Sequence, residues 1–376
     1  MRDPGASGLK TSTVILGAGV SGLSTALALL KRGHAVTLLD RGTAGGESSW
    51  AGGGILSPLL PWDYAEAVTS LALRSMAAYA GWVADIEAIS GRDAEFWRCG
   101  MLALDVADPE QALAWCAAHG MTAKSGYPQT VALPSSVSGQ NPVWLPEVAQ
   151  VRNPRLVAAL RGAVLQLGGT IHEHCPATGV LTRAGRVTAV QTPAGTFPAD
   201  NVVLATGAWS GLGLAGLAAT PHIRPIRGQM LLFKLEPGVL DTILYRNGVY
   251  LIPRRDGHVL VGSTLEDVGF DKSTDDATRR RLHLEAAGLL PALAAVQPVR
   301  HWAGLRPGSP GNIPVIDRHP DFDNVFVNTG HYRYGVTMAP ASAELLADLM
   351  EGRTPALDPA PYRWQAALER RWADGS

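Results

Sequence analysis

Residues 13–40, TVILGAGVSGLSTALALLKRGHAVTLLD, leave the chain few choices of fold. Residues 13–16 are a short, apolar, β-branched run, the pattern of a strand buried on both faces. Gly17-Ala18-Gly19-Val20-Ser21-Gly22 follows directly, and then a periodic apolar stretch over residues 23–30. Lys31 and Arg32 fall in the last turn of that helix, where cations suit its dipole, and Gly33 is placed to end it. Residues 35–39 read as a second strand closing on Asp40. Strand, GxGxxG, helix, strand and acid at about twenty residues' spacing is the arrangement that holds a dinucleotide. Gly17 permits the tight turn, Gly19 lets a pyrophosphate approach bare backbone, and Gly22 lets helix and strand pack closely. The pyrophosphate rests on the free N–H groups of the helix N-terminus, and Asp40 can accept hydrogen bonds from a ribose diol. Among 42 glycines a bare GxGxxG arises by chance; the surrounding elements carry the argument.

Several partner classes are disfavoured by bulk properties. A formal net charge of −1 offers no general attraction for nucleic acid or an anionic membrane. The apolar run around the GxGxxG is too short and too interrupted for a membrane span. Three scattered cysteines, Cys99, Cys116 and Cys175, argue against a disulfide framework. A soluble, cytoplasmic protein is expected. At 376 residues, more than one domain is expected too.

Downstream, GTFPADNVVLATG (residues 195–207) reads as a turn, a buried strand and a small-residue turn at Thr206-Gly207. Such a turn at the carboxyl edge of a parallel sheet lies where ligands bind. Asn153, with Pro154 behind it, reads as the cap of a helix running to about residue 167. A strand over residues 170–174 then adds a second crossover unit. Over residues 224–264 the pattern changes to alternation, with tight turns at Asn247-Gly248 and Asp256-Gly257, predicting an antiparallel sheet. Residues 80–150 and 265–300 read as mostly helical or irregular.

Two candidates for chemistry stand out. In HWAGLRPGSPGNIP, Arg306 is followed by Pro307 in what reads as a rigid glycine-rich turn, projecting a guanidinium able to grip a carboxylate with two parallel hydrogen bonds. The triple glycine of SSWAGGGILSP (residues 48–58) carries a large entropic cost; either it is a slack loop or a ligand lies against it. His172-Glu173-His174-Cys175 reads as an edge strand whose two histidines share a face rather than as a zinc site. Asp321-Phe322-Asp323 lacks the remainder of a calcium loop. No metal is expected.

Taken together and in order, GESSWAGGGILSP, VRNPRLVAAL, NVVLATGAWSG, IRGQM, YLIPRRDGHVLVGST, HWAGLRPGSPGNIPVID and NTGHYRYGVTMAP resemble the D-amino-acid oxidase superfamily, and most closely its glycine oxidase branch. The resemblance implies an α/β fold: a Rossmann-like, glutathione-reductase-type FAD-binding domain (residues 11–80, 151–220 and 301–376) and a substrate domain on an antiparallel or mixed β-sheet (residues 81–150 and 221–300), after a flexible N-terminus (residues 1–10). It implies non-covalent FAD, because relatives that bind flavin covalently use a cysteine in the C-terminal half, and all three cysteines here lie in the first half. Ser48, Ser49, Gly52, Gly53 and Gly54 would border the pyrophosphate and flavin, with Ile55 facing substrate. Arg41, Ala177, Thr206, Gly207 and Trp209 would join Gly17, Gly19, Val20, Gly22 and Asp40 around the cofactor. His331, Arg333, Tyr334, Gly335, Val336 and Thr337 would bring a helix N-terminus to the flavin. Tyr250 matches the family's carboxylate-binding tyrosine beside Arg306, and Arg333 an arginine near flavin and substrate. Many relatives carry asparagine where this chain has Tyr334.

The activity so implied is oxidative deamination of glycine, sarcosine or small D-amino acids. Hydride passes to flavin N5, the products are an oxo acid and ammonia, and O2 is reduced to H2O2. The same resemblance links the chain to making the thiazole of thiamine and suggests a homo-oligomer, often a tetramer. A D-amino-acid dehydrogenase feeding a quinone, an NAD-linked dehydrogenase and a non-catalytic flavoprotein remain as alternatives at this stage.

Overall fold

The computed structural model describes residues 11–128, 134–135 and 137–372; the expected flexible N-terminus, residues 1–10, lies outside them. The opening motif folds as its pattern requires. Strand Ser12–Leu16, helix Val20–Lys31 and strand Ala35–Leu39 form a crossover unit whose two strands pair in parallel. Gly17 takes φ +100°, and a Cβ on Gly22 would lie 1.9 Å from the Gly17 carbonyl oxygen. Only glycine permits that approach of helix to turn.

A six-stranded sheet grows from this unit in the order Val315–Arg318, Val325–Thr329, Asn201–Leu204, Ser12–Leu16, Ala35–Leu39, Thr170–His172. All neighbours are parallel except the first pair. Helices Val20–Lys31, Glu66–Ser90, Asn153–Gln166 and Gly335–Met350 cover one face and contribute to a common core with Ile15, Leu38 and Val203, which are fully buried. Each such aliphatic side chain stabilises the fold by about 1.5–3 kcal/mol. The other face packs Val14, Val202 and Val327 against the three-stranded meander spanning Gly179–Arg183, Arg186–Thr192 and Gly195–Pro198.

The second half is an eight-stranded mixed sheet. Arg224–Lys234, Ile243–Arg246, Val249–Pro253 and His258–Gly262 supply the expected antiparallel part, with Asn247 and Gly248 at positive φ in the turn. Residues 80–150, read as mostly helical or irregular, also contribute short strands. Met101–Ala103, Val143–Leu145 and Lys124–Ser125 extend this sheet, Met101–Ala103 pairing in parallel with Ile243–Arg246. The boundary expected at 80/81 falls inside helix Glu66–Ser90, which packs on Asn153–Gln166 and Gly335–Met350.

Three local readings are also corrected. Asn153 is not a cap: it is the first helical residue, and its side-chain amide donates to the Ser49 carbonyl (2.9 Å) instead. The strand after the helix stops at His172; His174 takes φ +53°, so the two histidines do not share a strand face. Glu173 between them bonds the Ala44 N–H and Arg161. The helix that the sequence suggests over about residues 339–350 starts one turn earlier, at Gly335.

Candidate active site at the junction of the two sheets

A cavity of about 470 Å³ runs from the GxGxxG turn to the large sheet. At its first end, helix Val20–Lys31 has no cap from its own N-cap residue, Gly19, and no acidic residue in its first turn. This positive end faces the cavity through Gly19, Val20 and Ser21. Asp40 accepts from the Ala18 N–H (2.7 Å) and the Gly42 N–H (2.8 Å), which orients its carboxylate at the rim. Ser49 accepts from the Val20 N–H (2.9 Å), leaving its hydroxyl hydrogen for an anion at the helix N-terminus. Gly22 lies outside the lining; its role is the packing described above.

The triple glycine follows a short helix, Ser48–Ala51, and is not slack. A Cβ on Gly52 would meet Asn153 Nδ2 at 2.8 Å, and one on Gly53 would meet Ile252 Cδ1 at 2.7 Å. Gly54, at φ +78°, would meet the Val151 carbonyl oxygen at 2.1 Å. Gly52 and Gly54 are therefore needed for close backbone packing as well as for the cavity wall they form with Gly53. Arg254, unnoticed in the sequence, holds the loop from beneath. Its guanidinium donates to the carbonyls of Gly53 (2.8 Å) and Val151 (2.9 Å) and to Gln150 (2.5 Å). Burial pushes its pKa down to about 10, so it stays charged at neutral pH.

Across the cavity, Ala177, Thr206, Gly207 and Trp209 close one wall, and the Arg41 guanidinium lies 3.6 Å over the Trp209 ring. His331, Arg333, Tyr334, Gly335, Val336 and Thr337 form another, at the N-terminus of helix Gly335–Met350. Thr337 donates to the Ile55 carbonyl (3.0 Å), tying that helix to the glycine loop. His331 is buried, contacts Ser342 (2.9 Å) and Ser21 (3.5 Å), and has its pKa pushed down to about 4 by desolvation; its ring is neutral. Tyr334 bonds Tyr64 through their hydroxyls, the rings edge to face at 5.1 Å.

Arg306 marks the far end. It lies on strand Arg300–Gly308, not in a loop. The strand is at the sheet edge, where Pro307 need not donate to a second neighbour. Its guanidinium donates to the Thr264 carbonyl (3.1 Å) and the Ser263 hydroxyl (2.6 Å), two of five available donors. A Cβ on Gly228 would come within 2.1 Å of Arg306 Nη1, and one on Gly262 within 2.9 Å of the Tyr250 hydroxyl. These two bare positions lower the floor so that guanidinium and phenol lie across it. Burial pulls the Arg306 pKa below the usual arginine value, with Tyr250 opposing and Arg333 adding to the shift. Ile55 and Met230 complete this end.

The cavity suits FAD on the structure's own terms. It offers a helix N-terminus with no acidic residue in its first turn for a pyrophosphate, an acid for a ribose, and an uninterrupted glycine wall for a flat ring. A family model for FAD-dependent oxidoreductases (DAO) matches residues 12–349. The glycine oxidase of Pseudomonas aeruginosa is 47% identical over 353 residues, covering 93% of this chain and 97% of that protein. The glycine oxidase of Pseudomonas putida is 44% identical, covering 96% and 100%. The crystal structure of glycine oxidase from Geobacillus kaustophilus superposes with a TM-score of 0.87 at 26% identity, covering 94% of this chain and 99% of that one. Among the described residues no helix is long and apolar enough to cross a membrane.

Proposed function

The chain belongs to the FAD-dependent oxidoreductases (DAO) and, within them, to the glycine oxidase family; from that premise we propose that it converts glycine, with O2 and water, to an oxo acid, ammonia and H2O2. Sarcosine and small D-amino acids fall in the same substrate class. When bound, FAD supplies the redox chemistry, taking two electrons and a hydrogen from the substrate and returning them to O2. The first turn of helix Val20–Lys31, Asp40, Ser49, the glycine loop and the His331–Thr337 segment hold it. We assign the six-stranded sheet with its helices, Glu66–Ser90 included, to the flavin unit and the eight-stranded sheet to the substrate unit.

The observation that carries the reading is Arg306, a guanidinium with donors to spare at the end of a cavity whose other end is built for a dinucleotide. Arg306 takes the carboxylate in a bidentate grip, Tyr250 adds its hydroxyl, and the α-carbon is thereby oriented toward the glycine wall. No side chain has to attack the substrate.

The test is a visible spectrum of the purified protein followed by anaerobic glycine. A bound flavin that bleaches, and recovers with peroxide when air is admitted, supports the reading; a protein that takes up no FAD, or a flavin that glycine leaves unchanged, overturns it. In Arg306→Ala the flavin should remain while kcat/KM for glycine falls at least about a hundredfold, the equivalent of two charge-assisted hydrogen bonds. Unchanged kinetics in that variant would remove Arg306 from the site.

A further inference from the structure

The pocket holds two guanidiniums where one substrate carboxylate needs one. Arg333 lines the same cavity as Arg306 and also a second, adjoining cavity of about 400 Å³, shared through Ser263. The spacing of the pair is set by backbone. Tyr332 takes φ +46° and donates its N–H to the Pro307 carbonyl (3.0 Å), so the turn bearing Arg333 is bonded to the residue after Arg306. Arg306 already donates to Thr264 and Ser263, whereas no hydrogen bond or ion pair is found for Arg333 among the described residues.

The surroundings do not neutralise this charge. The two carboxylates lining the main cavity, Asp40 and Glu47, belong to its other end: Asp40 is held by backbone N–H groups, and Glu47 pairs with Lys272 and Arg41. In the second cavity Glu266 is bound by Arg227 and Gln229, and Arg281 is a further cation, paired with Glu285. Asp63, on the segment before helix Glu66–Ser90, is exposed and makes no ion pair with Arg333. His331 is turned to two serines. The remaining neighbours are the phenols of Tyr64, Tyr245, Tyr250, Tyr332 and Tyr334; burial pushes those of 245, 332 and 334 upward, keeping them neutral.

We propose that Arg333 serves the substrate's nitrogen: together with Arg306 it makes the pocket positive enough that the amino group binds without its proton. This rests on the amino-acid oxidase reading above. A carboxylate cancels one guanidinium, and the surplus positive charge opposes an ammonium beside it. On binding, one ammonium N–H bond breaks, its electron pair stays on nitrogen as the lone pair, and the proton passes to water in the second cavity. That lone pair is what an imine must be built from, so the step removes the need for a protein base.

The test is the pH profile of kcat for glycine, which follows ionisation within the bound complex. Arg333→Met and Arg333→Gln should move the acidic limb to higher pH by about one unit, because less positive charge lets the amine keep its proton. Arg333→Lys should return the limb even if the plateau stays low. Glycolate, which has a carboxylate and no amine, should bind the Met and Gln variants more weakly by a factor independent of pH, read from the perturbed flavin spectrum. A limb unmoved in both neutral variants, with any loss of kcat equal at every pH, overturns the proposal and makes Arg333 a second carboxylate anchor. Wild-type protein inert to glycine would sink the underlying reading instead, so the two failures are distinguishable.

Discussion

At the scale of single residues the site depends as much on absent side chains as on present ones. A methyl group on Gly228 would sit 2.1 Å from Arg306 Nη1, inside contact distance, so Gly228→Ala must turn the guanidinium off the floor or push the strands apart. The expected result is a KM for glycine raised about tenfold or more, with bound-flavin absorbance kept. An unaltered KM would show that the guanidinium does not use that space when substrate binds. Arg306 itself was legible, because an arginine before a proline in a glycine-rich run is unusual. Its strand was not: LRPGSPGN reads as a turn by composition, and what makes residues 300–308 a strand is pairing with Arg224–Lys234, about eighty positions away in sequence. Gly228 was illegible for the same reason, as nothing within IRGQM announces the side chain that lies over it.

Among elements, the glycine loop shows how a long-range clamp replaces local order. SSWAGGGILSP raised the right question, and the cavity is part of the answer. The remainder is Arg254, whose three acceptors, Gly53, Val151 and Gln150, come from two distant segments. In sequence Arg254 looks like a polar residue beside the Asp256-Gly257 turn. Arg254→Met fills the volume but leaves buried acceptors unpaired, each at about 1–3 kcal/mol. Such a variant should lose at least about 3 kcal/mol of stability in urea titrations and bind FAD more weakly, measured by flavin fluorescence on dilution. If stability fell while FAD affinity held, the clamp would be structural support alone. Strands of two or three residues, such as Lys124–Ser125, escaped the sequence for a simpler reason: alternation needs about four residues to register.

For the molecule as a whole, helix Gly335–Met350 packs on helix Val20–Lys31 over the six-stranded sheet, and a neutral histidine is buried at that junction. Its burial predicts a pH dependence of stability. In the unfolded chain His331 takes up a proton near the ordinary histidine pKa of about 6.5, but in the folded protein not until about 4. Between those values the unfolded state binds more protons. The contribution of neutral His331 is therefore fully present above about pH 6.5 and is lost as pH falls toward 4, reaching about 3 kcal/mol. His331→Gln retains hydrogen-bonding groups for Ser342 and Ser21 but cannot titrate. Unfolding midpoints of wild type and variant should converge steadily from pH 7 to 4.5, the wild type losing more. Other titrating groups, including the buried His319, are common to both proteins and cancel in the difference. Parallel midpoints over that range would mean that the folded protein protonates His331 without cost, and that the junction admits water where the structure packs it dry.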